Sequence, residues 1–183
     1  MIDKNHNLEL SKEQIDSVVA LYSNRQYQEA IDQIIALDEV CPNVPFLFNL
    51  IGACYKAIGQ LEVSVKMFEK AVSIKPDFAE AYKNLGITLK ELGQLDEASE
   101  SFKQSINLEP NNVILHYHLA ITFKGLDKLD FAVESYKKAI SIKPDFFEAH
   151  NNLGNALKDL KLLDPAVESY KKAISIKPDF FEA

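Results

Sequence analysis

An all-α chain of the α-solenoid type, built of stacked antiparallel helix hairpins, is the fold class this sequence predicts. Three observations carry that prediction. The stretch VESYKKAISIKPDFFEA occurs twice, letter for letter, at residues 133–149 and 167–183, 34 residues apart. Prolines fall at Pro42, Pro76, Pro110, Pro144 and Pro178, each 34 residues after the last. Between them, apolar residues recur at helical spacing in two separate runs per period. A period of this length marks a repeat architecture, in which one supersecondary unit cannot bury its apolar face alone and stacks on its copies.

With each recurring proline as position 32, five units result: 11–44, 45–78, 79–112, 113–146 and 147–180. The third unit shows the pattern most clearly. Tyr82, Leu85, Gly86 and Leu89 fall at i, i+3, i+4 and i+7, one face of a first helix, A. After Gly93 the spacing resumes with Ala98, Phe102 and Ser105, which marks a second helix, B. The same slots hold Phe48, Ile51, Gly52 and Tyr55 with Ser64, Phe68 and Ala71 in the second unit. They hold His116, Leu119, Ala120 and Phe123 with Ala132, Tyr136 and Ala139 in the fourth, and His150, Leu153, Gly154 and Leu157 with Ala166, Tyr170 and Ala173 in the fifth. Small residues at slots eight and twenty let helices A and B approach, and large ones at slots four and twenty-four fill the wider gaps.

Taken in order, residues 1–10 read as a flexible lead. The first unit opens with Ser11 and Gln14, a capping box, followed by the apolar stripe Ile15, Val18, Val19 and Tyr22. Its eighth slot holds Val18, a departure expected of a terminal repeat. Ala30, Ile34 and Leu37 keep its helix B in phase. Each unit closes on a proline that cannot continue helix B. Asp77/Glu80, Asp145/Glu148 and Asp179/Glu182 then read as capping boxes for the next helix A. Gly59 and Gly93 supply the turn between A and B, replaced by Asp127 and Lys161 in the last two units. Asp164 followed by Pro165 reads as an N-cap with proline at the first helical position. Residues 181–183 read as the start of an incomplete sixth unit.

Composition narrows the function. The chain has 183 residues, 47% apolar, and a net charge of -7, with no basic block to attract nucleic acid or an anionic membrane. Its N-terminus has no apolar signal region and no apolar run approaches a membrane span, so a cytoplasmic protein is expected. Cys41 and Cys54 occupy different repeat slots and read as small buried residues, not a disulfide or metal pair. His116 and His118 are two apart and point to different faces of a helix, while His116 and His150 share an aromatic core slot, so packing is expected of them and not metal binding. No phosphate loop, metal cluster or nucleophile with a base is visible, and neither catalysis nor a cofactor is expected.

The aromatic, Leu, Gly and aromatic or Leu at slots four, seven, eight and eleven, with Ala at twenty, an aromatic at twenty-four, Ala at twenty-seven and Pro at thirty-two, resemble tetratricopeptide repeats. The segments AYKNLGITLKELGQLDEA and AHNNLGNALKDL are most similar to the arm of O-linked N-acetylglucosamine transferases and of bacterial fusions to transferase or oxygenase domains. The resemblance implies a right-handed superhelix whose helices A line a concave groove for extended peptides. In the transferase arm, the Asn of the NLG segment holds the peptide backbone. That sixth slot carries Leu50, Asn84, His118 and Asn152 here, so the asparagine ladder is half kept. An amide suits the task because it donates and accepts at once. The carboxylate clamp of chaperone-binding relatives is not matched: Lys83 fits, but Ile87 and His118 stand where asparagines are needed.

A second ladder consists of Lys56, Lys90, Lys124 and Lys158, all at slot twelve. None has an acid at i-4, i-3 or i+4 and only Lys124 has one at i+3, Asp127, so the row is expected to be free for an acidic partner. Asn49, Tyr117, Asn151 and Asn155 are the further groove residues expected to touch a peptide. The reading is a non-catalytic protein-interaction scaffold binding an extended, acidic polypeptide. Two alternatives stay open: a substrate-recruiting arm of a larger transferase or oxygenase, and an array that self-associates end to end through an uncapped last helix B.

Overall fold

The computed structural model describes residues 10–178. All but Leu10 of the lead expected at residues 1–10, the Asp179/Glu182 box and the sixth-unit start expected at 181–183 lie outside the described residues. Among the described residues ten α-helices follow one another: α1 (Lys12–Ser23), α2 (Tyr27–Val40), α3 (Pro45–Ala57), α4 (Leu61–Ile74), α5 (Ala79–Glu91), α6 (Leu95–Leu108), α7 (Val113–Gly125), α8 (Leu129–Ile142), α9 (Phe147–Asp159) and α10 (Leu163–Ile176). The odd-numbered helices are the A helices and the even-numbered ones the B helices. The chain forms two compact units, Met1–Leu92 and Gly93–Ala183. The first holds α1 to α5 and the second α6 to α10.

The A-to-B turn has one geometry throughout. Position fifteen of every repeat is left-handed, with φ of 62° at Arg25, 81° at Gly59, 77° at Gly93, 57° at Asp127 and 63° at Lys161. Around Gly59, the Gln60 amide donates to the Tyr55 carbonyl at 2.9 Å and the Gly59 amide to Lys56 at 3.0 Å. The same pair recurs from Leu162 to Leu157 and from Lys161 to Lys158. This double bond pattern satisfies carbonyls that the end of a helix leaves open. A side chain in the left-handed region costs roughly 1–2 kcal/mol. Gly59→Ala is therefore expected to lower stability by about 1 kcal/mol, and Lys161→Gly to raise it by less, because glycine also loosens the unfolded chain. Chemical denaturation of the two variants reads both signs.

Helix starts correct three expectations. The Ser11/Gln14 capping box is present, with both reciprocal bonds made. The next helices A begin differently: the N-cap residues of α5 and α9 are Phe78 and Phe146, neither with a side-chain cap. Asp77 and Asp145 sit one residue too early, in the turn after the proline, and Glu80 pairs with Lys83 at 2.6 Å instead of reaching back. Phenylalanine takes the cap position because its ring is wanted by the core: Phe146 is buried and lies 4.9 Å from the Tyr117 ring. At α10 the N-cap is Leu162, so Asp164 and Pro165 are already inside the first turn. There Asp164 complements the helix dipole, and proline still costs no hydrogen bond.

Packing follows the slot grammar. In the first unit, Val18, Ala30, Ile34, Leu47, Ile51 and Ala71 belong to one buried cluster. A Cβ added to Gly52 would come within 2.8 Å of the Phe68 ring, and one on Gly154 within 2.6 Å of Tyr170. Slot eight is therefore small because the slot-twenty-four ring of the same hairpin lies on its backbone. Ser64, at the slot where other units have alanine, is fully buried and donates to the Gly52 carbonyl at 2.7 Å. Cys41 and Cys54 are buried, as expected. Cys54 shares slot ten with Thr88, Thr122 and Ala156, all wholly buried, and burial pushes its thiol up to about 11. His116 and His150 are buried too, each with its Nε2 2.9 Å from the carbonyl of the preceding proline, Pro110 or Pro144.

Candidate functional site

The A helices of each unit carry a row of polar side chains over an aromatic floor. In the first unit, the Asn84 amide donates to Asn49 Oδ1 at 3.0 Å. In the second, the Asn152 amide donates to the Tyr117 hydroxyl, also at 3.0 Å. Slot six of one helix A thus reaches back to slot five of the helix A before it. Each asparagine keeps one N–H and its carbonyl oxygen for another partner. The amides are oriented by their neighbours and are not merely solvated. Asn155 is also engaged, accepting from the Tyr170 hydroxyl at 2.9 Å. Asn151 is half-buried on the same helix.

The lysine row differs from expectation. Lys56 pairs with Glu91 at 2.8 Å and Lys124 with Asp159 at 3.3 Å. The partner acid stands one period plus one residue further on, at slot thirteen of the next helix A, a spacing that counting along a single helix does not test. For Lys90 that position is Gly125. Among the described residues neither Lys90 nor Lys158 is ion-paired. Lys90 is half-buried, and burial lowers its pKa, with the Glu91 charge opposing and Lys56 assisting. Two rungs are therefore ion-paired to acids of the next helix A, Lys56 and Lys124.

Beneath these groups each unit holds a pocket. The one in the first unit, about 450 Å³, is lined by Ala53, Lys56, Ala57, Phe68 and Asn84, with Tyr22, Phe46, Asn49, Leu50, Glu80 and Glu91 around them. The one in the second, about 430 Å³, is lined by Ile121, Lys124, Gly125, Tyr136 and Asn152. Those five positions match Ala53, Lys56, Ala57, Phe68 and Asn84 slot for slot. Tyr136, the floor of the second pocket, is buried enough to push its phenol well up. Beside it Tyr117 is raised by burial first and by the Glu148 charge second, while the Asn152 bond pulls it down. His118, expected in the groove, stacks on Phe102 with ring centroids 5.6 Å apart.

The structure thus gathers Asn49, Lys56 and Asn84 at one pocket and Lys124 and Asn152 at the other, with Tyr117 bonded to Asn152. Sequence reading missed the apolar walls Phe46, Ala53 and Ala57. Among the described residues no group of three or more His, Cys, Asp or Glu is placed to hold a metal.

Comparison with known proteins agrees with this architecture. Family models described as TPR repeat match residues 52–93 and 126–161, and those described as Tetratricopeptide repeat match 79–112 and 147–180. A stretch of 65 residues is 31% identical to anaphase-promoting complex subunit 3 of Dictyostelium discoideum, covering 36% of this chain and 7% of that protein. Among solved structures, MamA superposes with a TM-score of 0.85 at 24% identity, covering 96% of this chain and 100% of that one. MamA 41-end from Desulfovibrio magneticus RS-1 gives 0.85 at 18% identity, over 92% and 95% of the two chains. YrrB, titled a TPR protein with an unusual peptide-binding site, gives 0.83 at 21% identity, over 94% and 89%. At these identities the structural likeness is one of fold. Repeat models and fold together establish that this chain is built of tetratricopeptide repeats.

Proposed function

We propose that this chain is a non-catalytic, cytoplasmic protein-interaction scaffold that binds an extended peptide on the exposed faces of its helices A. The observation that carries the reading is the recurrence of one pocket, at the same five repeat positions, in both units. A pocket with an aromatic floor and apolar walls takes an apolar side chain, and the oriented amides at its edge take main-chain groups on either side. Asn49, Asn84, Tyr117, Asn151, Asn152 and Asn155 form the polar row. Lys90 and Lys158 meet acidic groups of the peptide, whereas Lys56 and Lys124 give less because Glu91 and Asp159 already neutralise them.

A peptide-library pull-down at two salt concentrations tests this. Asn84→Ala and Asn152→Ala are each expected to weaken a selected peptide about 3- to 10-fold, the worth of a lost hydrogen bond. Lys90→Ala is expected to flatten the salt dependence, and Lys56→Ala to leave it nearly unchanged. Unaltered affinity in both asparagine variants contradicts the reading.

A further inference from the structure

We propose that two adjoining pockets among α7 to α10 form a second binding site, which holds an extended acidic peptide segment through acceptors at its floor and lysines at its rim. One pocket, about 550 Å³, is lined by His116, Glu134, Ser135, Lys137, Lys138 and Ser141. The other, about 360 Å³, shares Lys137 and Ser141 and adds His150, Glu168, Ser169 and Lys172. His, Glu, Ser and Lys thus recur at slots four, twenty-two, twenty-three and twenty-six of the fourth and fifth repeats. The second repeat is the chain's own control. There slot four is Phe48, and the slot-twenty-six lysine, Lys70, lies 3.9 Å over its ring. Where slot four is histidine the lysine is not spent in this way. Lys137, Lys138 and Lys172 are exposed and, among the described residues, make neither an ion pair nor a ring contact.

The polar atoms of the floor identify the ligand. His116 and His150 are each only 8% exposed, and each ring lines its pocket. Nε2 of each faces a proline carbonyl, which can only accept, so Nε2 carries the proton and Nδ1 is left as an acceptor. Neither Nδ1 has a hydrogen-bond partner among the described residues. Ser135, Ser141 and Ser169 donate to the carbonyls of Phe131, Lys138 and Pro165 at 2.8, 2.7 and 2.9 Å, so their oxygens too have only acceptor capacity left. The floor therefore wants N–H donors, while the lysines above it want anions. A main chain bearing Asp or Glu side chains supplies both at once. A phosphate group supplies the charge but no N–H. The two acids of the pockets do not reverse the sign, because Lys171 holds Glu168 at 2.9 Å and two lysines share Glu134's pocket.

Fluorescence anisotropy of a fluorescein-labelled peptide of about ten glutamates, titrated with the full chain at physiological salt, tests the site. Binding is expected at or below about 1 mM. Lys138→Gln with Lys172→Gln, both on exposed positions, is expected to raise the dissociation constant at least about tenfold. His116→Phe with His150→Phe is expected to raise it about 3- to 10-fold with little change in melting, since slot four already holds Phe48. Asn84→Ala with Asn152→Ala is expected to leave it unaltered, which separates this site from the asparagine row. The result fails the proposal if the peptide does not bind, if either the lysine or the histidine pair leaves affinity unchanged, or if the asparagine pair lowers it as much. Displacement by tripolyphosphate as effective as by unlabelled peptide overturns the choice of an acidic peptide.

Discussion

Phe68→Ala is expected to lower the stability of the chain by about 3–5 kcal/mol, the largest effect of any single truncation considered, because the ring is wholly buried. The ring packs against Gly52, so the two positions are coupled. In the unaltered chain, Gly52→Ala pushes the Phe68 ring from below and is expected to cost roughly 1–3 kcal/mol. In the Phe68→Ala background that clash is gone, and the same change gains about 1 kcal/mol from helix propensity. The sign therefore inverts between backgrounds. A double-mutant cycle by urea denaturation measures the inversion, and additive effects show that slot eight is small for some other reason.

Ala53→Phe is expected to abolish peptide binding at the first pocket, by more than about tenfold, while leaving the fold intact. Ala53 is half-buried and lines open space, so the larger side chain fills the pocket without displacing core. The second unit provides the graded version, since Ile121 occupies that slot and Ala53→Ile copies it. An intermediate loss is expected from the isoleucine. Titration of a selected peptide into both variants, with melting curves alongside, separates occlusion from unfolding. Unchanged affinity in the phenylalanine variant removes the pocket from the binding surface.

Nearly all of the repeat framework was legible in the residues, because the grammar of a solenoid repeats its own evidence. The unit starts Pro45, Ala79, Val113 and Phe147 coincide with the first residues of α3, α5, α7 and α9. The turns at Gly59, Gly93, Asp127 and Lys161 share one left-handed geometry although only two are glycine. The caps were misread because Asp–x–x–Glu after a proline matches a capping box, whereas the core's demand for Phe78 and Phe146 sets the helix start one residue later. The lysine row was misread for a different reason. Single-helix spacing rules look three or four residues away, but in stacked repeats the next helix A brings residues one period plus one apart into contact. Both Lys56–Glu91 and Asn84–Asn49 are contacts of that type.

The measurement that tests the central claim most directly is a nuclear magnetic resonance titration of the isotopically labelled chain with a selected peptide. The account predicts that the side-chain amide signals of Asn84 and Asn152 shift with the peptide, together with backbone signals of α3, α5, α7 and α9. Shifts confined to the B helices, around Lys137 and Lys172, with the two asparagine amides unmoved, contradict it.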